Sequence, residues 1–209
     1  VASAPTGSYM QLTAWAEVKA VNGWRSTRLV VDGPGGPIGA QVLVHDLGKG
    51  TTPKAEWPRH VGHEQRSVEL VQALCQRLAV PNRFRDLGIA VALNHGLVHR
   101  ALELRPATLL KLLESIDAFR RRERVTDVLD ACEADARGRT GLEDQPYPQR
   151  ELVLAAWHAA LSVDTRAMAG PGGTGEGLAG ELLGEAIRNA RLAAITAARR
   201  AGVKVSYDT

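Results

Sequence analysis

The stretch Val44-His45-Asp46-Leu47-Gly48-Lys49-Gly50 closes an apolar run, Val42-Leu43-Val44, with an adjacent histidine and aspartate and a glycine-flanked lysine. Imidazole is a borderline nitrogen ligand and carboxylate a hard oxygen ligand, a mixture that suits Mn, Fe, Co, Ni or Mg. Lys49 adds a mobile cation on a flexible turn, where an anionic phosphate can meet it. The same pair also fits a helix end whose polar residues face water, and by itself it does not separate the two. Lys49 belongs to no Walker-type loop, because Leu43, not glycine, stands five residues before Gly48.

Outward from this stretch the pattern is helical. Ile38 to Lys49 predicts a helix stopped at Gly48, and Thr51, Thr52, Pro53 and Pro58 predict a loop after it. His63 to Ala79 places Val68, Val71, Leu74, Cys75 and Leu78 at helical spacing. Pro81 suits the first turn of a further helix that carries Phe84, Leu87, Val91 and Leu93 towards His95 and His99. Pro106 opens the next, with Leu109, Leu110, Leu112, Leu113 and Ile116 inward, and Glu123 to Ala136 continues through Val125, Val128, Leu129 and Cys132. Successive helices on short loops predict an all-α bundle. Asp144, Pro146 and Pro148 predict a hinge, followed by a helix over Leu152 to Leu161 and a last helix over Leu178 to Ala201. Upstream, Ser8 to Val21 reads as a short helix or strand, and the run Leu29-Val30-Val31 is stopped by Gly33-Pro34-Gly35-Gly36-Pro37.

Composition agrees with helices. Apolar residues make up 44% of the 209 but aromatics only 4%, so the core is built from Leu, Val, Ile and Ala. A net charge of +3 does not by itself announce a nucleic-acid binder. Arg188, Arg191, Arg199, Arg200 and Lys204, however, share a stretch without an acidic residue. Cys75 and Cys132 have no metal-binding spacing; they fit buried thiols in a reducing cytoplasm. No continuous apolar run approaches membrane-spanning length. The chain begins with Val1 rather than Met, from which we expect a piece of something longer.

Several separated words agree on one family. Leu43 to Pro53 (LVHDLGKGTTP) resembles the HD-domain signature of bacterial multifunctional CCA-adding proteins, a subset of class II tRNA nucleotidyltransferases. The likeness runs on through Trp57-Pro58-Arg59-His60, Gly62-His63-Glu64, Leu74-Cys75-Gln76-Arg77-Leu78 and Val80-Pro81-Asn82. It resumes at Ser115-Ile116-Asp117-Ala118-Phe119 and at Glu133 to Gly141 (EADARGRTG), and covers about two thirds of the 209 residues. The resemblance implies the C-terminal, HD-domain portion of such a protein: a helical HD-like bundle with a C-terminal helical extension. It also implies metal-dependent phosphohydrolase chemistry. Implied substrates are 2′,3′-cyclic phosphates, 2′-nucleotides and phosphate esters at RNA ends.

On this reading His45, Asp46 and His95 are the metal ligands, and the cofactor is a divalent metal: Ni, Mn, Co or Mg. Lys49 and His63 assist, Lys49 by stabilising phosphate charge and His63 as a donor behind the ligands or a general acid. His63 fits a helix cap or an exposed residue equally well. Two departures weigh against the metal. The family brings an upstream histidine, but none precedes His45, and Ser26 or Arg25 falls at that position. The family's later motif is a second His-Asp pair, where this chain has His95-Gly96.

Other residues read both ways. His99, four residues after His95, shares its helix face and reads as an incidental neighbour. Asp135 is either a last ligand or an anchor for Arg137 and Arg139. Arg120, Arg121 and Arg122, with Arg124, can follow an RNA backbone or form a solvated helix end; Arg137 and Arg139 are further RNA-contact candidates. Gly170-Pro171-Gly172-Gly173-Thr174-Gly175 spells a dinucleotide glycine pattern but follows no strand, and reads as a linker. No Gly-Ser element precedes an Asp-x-Asp pair, so these residues are not expected to add nucleotides.

The expected organisation is a divergent or poorly ordered segment over 1–38, an HD-like phosphohydrolase domain over 39–140 and a tRNA-contacting helical region over 141–209. Expected partners are tRNA or RNA 3′ ends and phosphate-ester nucleotides, in the cytoplasm and away from membranes, with a homo-oligomer left open. The competing expectation is a non-catalytic tRNA-binding body whose metal site has decayed.

Overall fold

A computed structural model of the chain describes residues 32–33, 36–37, 45–138, 142, 144–169 and 180–201. The readings of Ser8 to Val21, of Leu29 to Val31, of the first part of the Ile38 helix and of the Gly170 to Gly175 linker lie outside them. The fold is all-α, as expected. Among the described residues there are seven α-helices: α1 (His63–Arg77), α2 (Asn82–His99), α3 (Pro106–Ser115), α4 (Glu123–Arg137), α5 (Pro148–Leu161), α6 (Thr165–Ala169) and α7 (Gly180–Arg200). Asp32–Gly33 pairs antiparallel with Gly36–Pro37, within the predicted turn. No described helix is long and apolar enough to cross a membrane.

The expected helix over Ile38 to Lys49 needs correcting at its described end. His45 and Asp46 lie in a turn, and Leu47–Thr51 is a 3-10 helix. Lys49 N–H donates to the Asp46 carbonyl at 2.9 Å, three residues back. Two glycines and a threonine within five residues favour this tighter turn over an α-helix. Proline positions held up better. Pro106 opens α3, while Pro81 stands one residue before α2 with extended ψ and starts it from outside.

Leu109, Leu110, Leu112 and Leu113 of α3 are all buried, because a four-leucine set over five residues fills a wide apolar stripe. They share one core with Val91 and Val98 of α2, Val125, Val128 and Leu129 of α4, Val153 and Trp157 of α5, and Ile195 of α7. Packing therefore runs across the expected boundary near residue 140. Trp157 Nε1 donates to the Ala118 carbonyl at 3.1 Å and pins α5 to the segment between α3 and α4. Leu93 is 42% exposed. It lies two residues, about 200°, around α2 from buried Val91. A smaller core of Leu47, Val71 and Cys75 joins the 3-10 turn to α1.

The basic C-terminal stretch is largely spent on docking. Arg188 Nε meets Glu114 Oε1 at 2.9 Å, the Arg191 guanidinium lies 3.6 Å over the Phe119 ring, and Arg199 donates to the Leu102 carbonyl at 2.8 Å.

Candidate metal centre

Three elements meet at one buried polar spot: the 3-10 turn brings His45 and Asp46, α1 brings His63, and α2 brings His95. His45 is 1% exposed, Asp46 7% and His95 5%. One donor atom from each of these three lies within 4.8 Å of the others. Asp46 Oδ1 is the hub, 3.7 Å from His45 Nε2, 3.8 Å from His95 Nε2 and 3.6 Å from His63 Nε2. His63 Nε2 and His95 Nε2 are 3.4 Å apart.

Hydrogen bonding behind the rings decides what faces the hub. His95 Nδ1 donates to the carbonyls of Ala92 and Val91, at 3.1 and 3.2 Å. His63 Nδ1 donates to the His60 carbonyl at 2.9 Å. A neutral imidazole with its hydrogen on Nδ1 carries a lone pair on Nε2. Two such lone pairs and a carboxylate oxygen thus point at a shared space. Buried Asp46 Oδ1 and both ring nitrogens of His45 have no hydrogen-bond partner. Leaving such groups buried and unsatisfied costs about 1–3 kcal/mol each. Converging buried donor atoms of this kind are what a divalent cation satisfies, and mixed nitrogen and oxygen donors suit Mn, Co or Ni. The residues present fit a metal ion.

Protonation agrees. Burial pushes the His45 imidazole down to about 4 and also lowers His95, so neutral rings are available as ligands near neutral pH. Burial raises the Asp46 carboxyl, but the nearby His45 and Lys49 charges outweigh it and hold the group below the usual carboxylate range. Lys49 Nζ lies 2.6 Å from Asp46 Oδ2, leaving Oδ1 turned towards the imidazoles.

Residues 40–136 match the HD domain family. These residues are an HD domain. The multifunctional CCA protein of Thioalkalivibrio sulfidiphilus is 54% identical over 153 residues, covering 73% of this chain and 36% of that protein. The multifunctional CCA protein of Nitrosococcus oceani is 52% identical over 153 residues, with the same two shares. That of Xanthomonas euvesicatoria is 52% identical over 165 residues, covering 79% of this chain and 39% of the relative. The chain therefore spans little more than a third of the length of these relatives. No solved structure matches it.

Within the HD domain, two readings sharpen. Asp135, weighed as a last ligand or as an anchor for Arg137 and Arg139, faces the histidines: Oδ1 lies 3.9 Å from His45 Nε2 and Oδ2 lies 3.0 Å from His99 Nε2. Arg137 pairs with Glu133 at 2.9 Å. His99 is accordingly no incidental neighbour; it links Asp135 to the Tyr147 hydroxyl, 2.9 Å from its Nδ1. The i, i+4 spacing of His95 and His99 gave a signal, but only folding shows that they serve different partners.

Arg66 was missed altogether. It donates to the Gly48 carbonyl at 3.3 Å, the Val61 carbonyl at 2.9 Å and Thr52 Oγ1 at 2.9 Å, holding the loop around the site. An arginine on a half-polar helix face carries no local mark of that role. Of the arginines expected to meet RNA, Arg120 is 84% exposed and pairs with Asp117 at 2.7 Å. Arg121 reaches Asp86 and Asp117 at 3.5 and 3.6 Å, and Arg122 is exposed. These three lie just before α4, whose first residue, Glu123, is roughly 18 Å along the helix axis from Asp135. Arg139 lies outside the described residues.

Proposed function

We propose that residues 39–140 work as a metal-dependent phosphohydrolase in the cytoplasm. Its substrates are 2′,3′-cyclic phosphates, 2′-nucleotides and phosphate esters at RNA 3′ ends. Residues 141–209 are the helical region that contacts tRNA, and residues 1–38 are a divergent segment outside the catalytic unit. The observation that carries this reading is the convergence of His45, Asp46 and His95, three buried residues that each offer one donor atom within 4.8 Å of the others.

His45, Asp46 and His95 would hold the cation. Bound there, a divalent metal supplies Lewis-acid polarisation of a phosphoryl oxygen and a nucleophile at neutral pH. The protein's own groups do the rest. Lys49, held on Asp46 Oδ2, keeps that carboxylate ionised and brings positive charge to an entering phosphate. His63 is more exposed than the trio, and its Nδ1 is fixed on the His60 carbonyl. Its Nε2 takes up a proton and delivers it to the leaving oxygen. Arg120, Arg121, Arg122, Arg137 and Arg139 offer the RNA backbone its positive contacts, with phosphates competing against the carboxylates that now pair with Arg120, Arg121 and Arg137.

Two sequence facts favour a second reading, a non-catalytic tRNA-binding body. No histidine precedes His45 in the 209 residues, and Gly96 stands where the family has its second aspartate. Hydrolysis of 2′,3′-cyclic AMP with added Ni²⁺, Mn²⁺ or Mg²⁺, beside a His45→Ala/Asp46→Ala double variant, separates the two. We expect metal-dependent turnover that the double variant loses. Folded protein without turnover in any of the three metals would leave the RNA-binding body as the better account.

A further inference from the structure

Asp135 enters the centre from α4, and its carboxylate is held from behind. Oδ2 accepts from His99 Nε2 at 3.0 Å while Oδ1 faces His45 Nε2 at 3.9 Å. With Nε2–H committed to a carboxylate, neutral His99 carries its lone pair on Nδ1. The Tyr147 hydroxyl lies 2.9 Å from that nitrogen and donates to it. The two rings meet edge-on, with centroids 5.9 Å apart. Gln149 Nε2 also donates to the His99 carbonyl at 3.1 Å, so the start of α5 grips both the ring and the backbone of His99.

We propose that Tyr147 and His99 are positioning residues of the metal centre, setting the Asp135 carboxylate against His45 so that a cation bound there gains a preoriented oxygen. This rests on the reading that the centre binds a divalent metal. A carboxylate with one oxygen tied to a hydrogen-bond donor presents the other in a restricted set of directions. Supports of this kind set ligand orientation in metal sites. Asp135 selects the imidazole tautomer: an Nδ1–H ring would turn its Nε2 lone pair towards Asp135 Oδ2, setting two acceptors against each other. Tyr147 stands beyond residues 40–136, so the centre is completed by a segment outside the HD-domain match.

The test uses the full chain with Co²⁺ as the probe, because its visible spectrum reports ligand geometry independently of turnover. Wild type, Tyr147→Phe, His99→Leu and His99→Gln would be titrated and their spectra compared, with thermal unfolding of each metal-free protein as the measure of folding. Removing such a support weakens metal binding about 10- to 100-fold. We expect Tyr147→Phe to bind Co²⁺ at the low end of that range with shifted bands, and His99→Leu more weakly. His99→Gln should recover part of the loss, because its amide can donate to Asp135. Wild-type affinity and spectra in both Tyr147→Phe and His99→Leu would overturn the inference. Lowered thermal stability without any change in Co²⁺ binding would reduce the chain to a structural tie and overturn it equally. If wild type itself binds no Co²⁺, the metal reading fails and the inference falls with it, an outcome recognised because every protein in the series then behaves alike.

Discussion

Gly48→Ala tests how closely α1 must approach the 3-10 turn to build this centre. A Cβ on Gly48 would stand 2.1 Å from the His63 carbonyl oxygen, 2.7 Å from Ser67 N and 3.0 Å from Arg66 Cβ. Two of these three are backbone atoms of the first turns of α1, which no rotamer change moves. Relieving the clash means a retreat of roughly 1 Å by α1, since carbon finds its contact optimum near 3.5 Å or beyond. The retreat stretches the buried hydrogen bond from Gly48 N to Ser67 Oγ, now 2.9 Å. It also carries His63, the first residue of α1, away from His95 Nε2. Overpacking of this kind costs about 1–3 kcal/mol, and the lost hydrogen bond adds about 1 kcal/mol. In a chain of this size each kcal/mol lowers Tm by about 2–4 °C, so the variant should melt roughly 4–16 °C below wild type. Thermal unfolding followed by far-UV circular dichroism measures this directly. A drop below about 2 °C would refute the reasoning, because it would mean that α1 is not closely seated on the turn.

Acidification should destabilise the metal-free protein. Burial holds the folded-state pKa of His45 at about 4, while an unfolded histidine titrates near 6.5. Between these values the unfolded chain binds the additional proton, so stability falls as pH drops through this window, by about 3 kcal/mol when complete. Lowered Asp46 carries the loss on below the ordinary aspartate range; denaturant midpoints that stay flat from about pH 7 to about pH 4 would contradict this. Leu112→Ala, at a position with no exposed surface in the main core, should cost about 2–5 kcal/mol in urea unfolding. A loss under about 1 kcal/mol would show that the core collapses around the cavity. Burial raises both thiols, Cys75 and Cys132. Each should react slowly with an aromatic disulfide reagent in the native protein and promptly after denaturation, whereas fast native reaction would place them at the surface.

Helices α1, α3 and α4 were legible because each writes its buried face in residues three and four apart, such as Val71 and Cys75 or Val125, Val128, Leu129 and Cys132. Periodicity failed where it was thin. The apolar residues of α2 do not mark one face, since Val91 is buried while Leu93 lies on the outer side. The turn at Leu47–Thr51 escaped because the apolar run before it extends a helical pattern that the glycines end early. The arginines of α7 looked like a free basic surface because their partners, Glu114, Phe119 and the Leu102 carbonyl, come from distant parts of the chain.

The sequence by itself determined the helical class, the leucine-rich core of α3 and the three residues His45, Asp46 and His95 as ligand candidates. Those features are written within a few neighbouring residues or in recognisable words. Tertiary structure alone decided that Asp46 Oδ1 is the hub, that His63 Nε2 faces it, and that Asp135, His99 and Tyr147 form one hydrogen-bonded line. The links from His99 to Asp135 and to Tyr147 span 36 and 48 residues. A hydrogen bond needs atoms placed to within a few tenths of an ångström, and only the packing of α2, α4 and α5 around their shared core sets those positions.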